Sequence, residues 1–119
     1  MITKIADTYH IPDILNYRTY CEYNINHVLM FDGAVLFELK ATYGLPLCIA
    51  IEKIMIEAEF VINWPQYIEM ARKNGWWDFK TYDEIEFNLI DAGINKEVRQ
   101  HILGRCKTYI LANPHPKML

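Results

Sequence analysis

The stretch FELKATYGLPLCIAIEKI, residues 37–54, decides the fold. It is apolar on both sides of a single break at Tyr43-Gly44-Leu45-Pro46. Ahead of the break, Val35, Leu36, Leu39 and Tyr43 recur at the steps that line one side of a helix. Asp32 stands where an N-cap is expected, and Gly44 where a left-handed C-terminal residue is expected. After the break, Pro46 is tolerated in a first helical turn. Leu47, Ile49, Ala50, Ile51, Ile54, Met55, Ala58, Val61 and Ile62 then leave a narrow polar strip with Lys53 and Glu57 as an i,i+4 pair. The reading is two helices folded about a glycine hinge, the second running over 46–62 and forming the buried centre. The alternative is an α+β fold with a hairpin at 34–54, its strands 34–42 and 47–54, which the β-branched isoleucines favour. The run Ile54-Met55-Ile56 breaks strict alternation and weighs for helices.

Working outward, residues 1–10 lack a clear period. From Pro12, the residues Ile14, Cys21, Ile25, Val28 and Leu29 predict a first helix over roughly 12–30, with Tyr17, Tyr20 and Tyr23 rimming its apolar stripe. Towards the C-terminus, Asn63 caps a short helix that carries Pro65 in its first turn and ends at Gly75, after Arg72 and Lys73. Thr81-Tyr-Asp-Glu84 matches a capping box, so a further helix holds Ile85, Leu89 and Ile90 and stops at Gly93. Asn95 caps the last helix, with Val98, Ile102, Cys106, Tyr109 and Ile110 on one face, until Asn113-Pro114 ends it. The expected architecture is all-α, a single-domain compact bundle of about five to six helices over 1–119, with 115–119 a frayed tail.

Composition bounds the function. A chain of 119 residues, 52% hydrophobic and 23% charged, is one domain with a packed core. Its apolar runs are far shorter than the roughly 20 residues that cross a bilayer, and its start lacks the basic and apolar pattern of a secretory signal. Cys21, Cys48 and Cys106 are odd in number, without C-x-x-C spacing, and fit a reducing cytoplasm. His10, His27, His101 and His115 never share i,i+4 spacing, and His101 and Cys106 diverge by about 140° around a helix. Asp83, Glu84 and Glu86 are explained by the dipole of the helix they open. The glycines form no phosphate loop. No catalytic residue, cofactor or metal is expected.

One resemblance is specific. Phe37-x-Leu39-x-x-Thr42-Tyr43-Gly44-Leu45-Pro46-Leu47 resembles the F-x-L-x-D-T-Y-G-F-P-L-D-L helix-turn-helix segment of alanyl-tRNA synthetases. The likeness extends through Val61, Trp64 and Tyr67, about a third of the chain. Ala41, Leu45 and Cys48 depart from the pattern, and the synthetase's class II motifs and editing-site cluster have no counterpart. The resemblance implies helix–hinge–helix geometry and carries over no functional residue. In style the whole chain resembles small accessory proteins of bacteriophage genomes, which implies a modulator acting on a host factor.

Two features are left as candidate sites. Trp64, Trp76, Trp77 and Phe79 crowd one corner, where consecutive tryptophans cannot both enter one small core, so the corner is expected to hold a protein partner. The alternative is an RNA- or tRNA-binding role for Lys96, Arg99, Arg105 and Lys107 on the last helix. Residues 1–94 carry fourteen acids against seven Lys/Arg and 95–119 one acid against five, yet the net charge is −3. That balance opposes general nucleic-acid affinity. A symmetric homodimer is the remaining partner expectation.

Overall fold

The computed structural model describes residues 21–23 and 29–114. Asp32 caps the helix ahead of the Gly44 break as expected, its carboxylate accepting the backbone N–H groups of Ala34 at 2.8 Å and Val35 at 3.3 Å. Helix α1, Gly33–Ala41, follows and buries Leu36, Phe37 and Leu39. Gly44 turns the chain with φ 71°, its N–H donating to the Lys40 carbonyl while Leu45 N–H donates to that of Leu39. Leu45, at the turn, is only 1% exposed, so the hinge itself belongs to the core. The hairpin alternative over 34–54 does not form, because α1 and α2 satisfy their backbone groups within each helix.

Helix α2, Leu47–Ile51, continues into a wider π-helical segment, Glu52–Glu57. Such a segment inserts one residue into the α register. Leu47, Ala50, Ile51 and Ile54 face inward, and Lys53 pairs with Glu57 as the spacing anticipates. The helix expected to reach residue 62 stops here. Glu59 takes a left-handed φ of 59°, Phe60 N–H donates to the Ile54 carbonyl, and Val61–Ile62 becomes a strand, β3.

That strand lies parallel to β2, Leu29–Phe31, which pairs antiparallel with β1, Cys21–Tyr23. The described part of the helix expected over 12–30 is therefore extended; the remainder of that span lies outside the described residues, as do 1–10 and the tail 115–119. The reason is visible at Phe31, which is completely buried and whose carbonyl accepts the Asn63 N–H at 3.0 Å. Val28, Leu29, Met30 and Phe31 form a continuous apolar run, a pattern that suits a buried strand as well as a helix, and only the arrival of β3 selects between them.

Asn63 opens α3, Trp64–Lys73, by accepting the Gln66 N–H, with Pro65 in the first turn. Helix α4, Asp78–Asp91, has Trp77 at its N-cap and so starts four residues earlier than the capping box predicted. Thr81 is buried and its hydroxyl donates to the Trp77 carbonyl at 3.2 Å, while Glu84 turns away to tertiary partners. Asn95 caps α5, Lys96–Ala112, by accepting the Val98 N–H at 3.0 Å. The corners at Gly75 and Gly93 close alike, with Trp76 N–H on the Ala71 carbonyl and Ile94 N–H on the Leu89 carbonyl, the six-to-one bond of a Schellman turn.

Among the described residues five helices thus make an all-α bundle with a small three-stranded sheet at one side. The most extensive helix–helix contact among the described residues is α1 on α3, where Gly33 has no side chain to hold the two apart and its N–H donates to Gln66 Oε1 at 2.9 Å. Helix α4 packs on α5 and on α2. Phe31, Leu36, Ile51, Tyr67, Ile68, Ile85 and Leu89, all essentially inaccessible, are the centre where these elements meet. No helix among the described residues is long and apolar enough to cross a membrane.

Candidate functional site

The corner between α3 and α4 is set by polar contacts that decide which aromatic side chains turn outward. Arg72, 8% exposed, makes a bidentate pair with Asp78, Nε to Oδ1 at 2.9 Å and Nη2 to Oδ2 at 3.0 Å. Its remaining Nη1 donates to Glu69 at 3.2 Å, and the Tyr109 hydroxyl donates to the same carboxylate. The hydrogen bond to Asp78 holds the Arg72 pKa above its ordinary value. Since the pair spans residues 72 and 78, it pins both ends of the turn around Gly75.

A second network fixes the inner side of the corner. Tyr67, completely buried, donates its hydroxyl to Glu84 Oε1 at 2.7 Å, and Lys40 Nζ holds Glu84 Oε2 at 2.6 Å. Burial and the facing Glu84 carboxylate push the Tyr67 hydroxyl far above its usual range, so it serves as a permanent donor. Lys40 also lies 3.9 Å from the centre of the Trp76 ring, and Lys80 approaches the same ring at 5.1 Å. With Phe37 edge-on at 6.2 Å, Trp76 is a half-buried wedge held by cations and one aromatic neighbour.

The four aromatic residues expected to form one partner site are therefore separated. Trp64 is 5% exposed, packs edge-on against Tyr67 at 5.5 Å, and has a buried indole N–H with no acceptor among the described residues. Trp76 is the wedge just described. Trp77, N-cap of α4, is 55% exposed, and Phe79 is 66% exposed, their rings 6.2 Å apart. Consecutive tryptophans do split between inside and outside, and it is Trp77 that faces out.

Trp77 and Phe79 are joined in exposure by Phe87, which the sequence did not single out, and by Ile90, which its spacing placed with Ile85 and Leu89 in this helix. Phe87 and Ile90 on α4 are 65% and 51% exposed. At about 100° per residue, Phe79, Phe87 and Ile90 fall within roughly 80° of one another on the helix, opposite the buried Ile85 and Leu89. The exposed carboxylates Asp83, Glu86 and Asp91 interleave with them. The available signal was the helical wheel, on which Phe87 lies about 200° from Leu89 wherever the helix starts.

The basic residues of α5 do not line up as a single strip. Lys96 and Lys107 share one side, whereas Arg105 and His101 lie on the other, about 120–180° away at 100° per residue. Arg99 is half-buried and donates to the Ile94 carbonyl at 3.1 Å, finishing the preceding corner. Cys106 is 1% exposed, and burial raises its pKa to about 12, which keeps it a thiol. Among the described residues no three His, Cys, Asp or Glu side chains gather in a metal-binding group.

Comparison with protein-family models, with curated proteins and with solved structures gives no match.

Proposed function

We propose that the protein is a cytoplasmic binding module without a catalytic role, a modulator that holds a protein partner on the outer face of α4. The observation that carries the reading is the exposure of Trp77, Phe79, Phe87 and Ile90 along one side of a helix whose start is pinned by the Arg72–Asp78 pair. Interface hot spots are rich in such aromatics, and an ordered face loses little conformational freedom on binding. Asp83, Glu86 and Asp91 around the apolar residues select the partner's chemistry: an amphipathic helix whose apolar stripe is flanked by Lys and Arg. The split of the basic residues on α5 leaves the RNA-binding alternative without a comparable surface.

The test is photo-crosslinking from position 79 in the full chain, with position 107 as control. A protein captured from 79 and not from 107 is then titrated against the wild type and against Trp77→Ala and Phe79→Ala. Each substitution is expected to weaken it by about 2 kcal/mol, roughly thirtyfold, and the affinity to fall as salt rises. Equal capture from both positions, or undiminished binding by both variants, overturns the reading. So does a stable wild-type dimer in light scattering that Phe79→Glu converts to monomer, which would give the face to a second copy.

A further inference from the structure

The start of α3, the end of the π-helical segment, strands β2 and β3 and helix α5 enclose a cavity of about 440 Å³. That volume lies within the range of small-molecule sites, about 300–1,000 Å³. Its walls are largely apolar, from Met30, Met55, Ile62, Ile102 and Cys106, and Trp64, whose indole N–H has no acceptor, forms part of them. In an acidic chain no carboxylate stands among the described residues of the lining. Its charged and titratable contribution from α5 is His101 and Arg105, one helical turn apart and both solvent-exposed. Among the described residues the Arg105 guanidinium makes no hydrogen bond or ion pair. The same two side chains border an open depression that also lacks carboxylates and includes Gln100, Thr108 and Tyr109.

We infer that this cavity binds a small amphipathic anion, an aliphatic or aromatic carboxylate whose apolar body fills the space beside Trp64 while its head group rests on Arg105 and His101. An unpaired guanidinium at the edge of an apolar hollow complements both halves of such a ligand: it offers a planar pair of donors for the carboxylate, and the walls remove the chain from water. Arg72, by contrast, already spends its donors on Asp78 and Glu69. Lys96 and Lys107 line neither of these two hollows. The buried, protonated Cys106 makes the wall apolar rather than reactive.

Isothermal titration of the full chain with sodium octanoate and, separately, with 1-octanol tests the inference. One octanoate is expected per chain, bound at least tenfold more tightly than octanol. Arg105→Gln should weaken octanoate tenfold or more and leave octanol within twofold. Val98→Trp, which adds bulk at a 39% exposed position of the lining, should weaken both; far-UV circular dichroism checks that the variant is folded, and if it is not, the Arg105→Gln comparison decides. Phe79→Glu should change neither affinity, which separates this site from the face of α4. Absence of octanoate binding to the wild type, or an Arg105→Gln variant that binds octanoate as well as the wild type, overturns the inference.

Discussion

The Tyr67 hydroxyl and the Lys40 ammonium share one carboxylate, Glu84, at 2.7 and 2.6 Å, so three helices meet on a single partly buried side chain. Each donor lacks a substitute: Tyr67 is completely buried, and the cation of Lys40 is held over Trp76. Tyr67→Phe and Glu84→Gln are each expected to cost about 1–2 kcal/mol in urea unfolding, and their double-mutant cycle to show about 1 kcal/mol of coupling. Additivity within a few tenths would mean that the bond contributes nothing of its own.

Removing Asp78 is expected to be far more damaging than removing a surface partner. Asp78→Ala leaves the buried Arg72 guanidinium with Glu69 as its one carboxylate partner among the described residues, at a cost of about 3–5 kcal/mol. Glu57→Ala, which breaks the neighbouring-turn pair with Lys53, should cost only about 0.3–0.5 kcal/mol. Comparison of the two denaturation midpoints checks the ranking.

Gly33 and Gly104 should respond in opposite directions to the same substitution. A β-carbon at Gly33 would sit 2.0 Å from the Asn63 carbonyl oxygen and 2.6 Å from the Tyr67 nitrogen, both backbone atoms that cannot step aside. Gly33→Ala must part α1 from α3 and is expected to lose about 1–3 kcal/mol. At Gly104, exposed within α5, a methyl group meets nothing within 4 Å, and Gly104→Ala should gain about 0.5–1 kcal/mol of helix stability. Thermal melts of the two variants should move to opposite sides of the wild type.

Alkaline pH should unfold the protein partly through Cys106. Its thiol titrates at 9.0 in an ordinary environment and at about 12 in the fold, so the unfolded chain releases this proton first. The native state then holds more protons, and stability, unaffected by this group below pH 9, declines as pH rises from about 9 to about 12. Cys106→Ala, though less stable at neutral pH because of the cavity it creates, should show a shallower decline just above pH 9. Identical slopes for the two proteins would remove Cys106 from the alkaline transition.

The helical framework was legible because its signals are local. Asp32, Asn63 and Asn95 cap the helices that follow them, and Gly44, Gly75 and Gly93 turn the corners, since capping and left-handed turns depend on a few adjacent residues. The Lys53–Glu57 pair and the buried centre around Ala50, Ile51 and Ile54 follow from spacing alone. The Thr81–Glu84 box was equally local and misleading. Its two side chains are drawn to the Trp77 carbonyl and to Tyr67 and Lys40, partners whose position no neighbouring residue announces. The aromatic corner was legible as a surplus of large rings but not as a surface, because whether Trp76 or Trp77 faces out depends on Lys40, Lys80 and Phe37 reaching one of them.

The sequence by itself determined a helical chain with a hinge at Gly44, a buried second helix and corners at three glycines. Tertiary structure alone decided that residues 29–31 and 61–62 pair as strands, that the helix after Pro46 ends at Glu57, and that Trp77, Phe79, Phe87 and Ile90 share an open face while Arg105 stands beside a cavity. Caps and turns are closed by bonds between near neighbours, whereas strand pairing, ring orientation and cavities depend on segments that become adjacent only when the whole chain has folded.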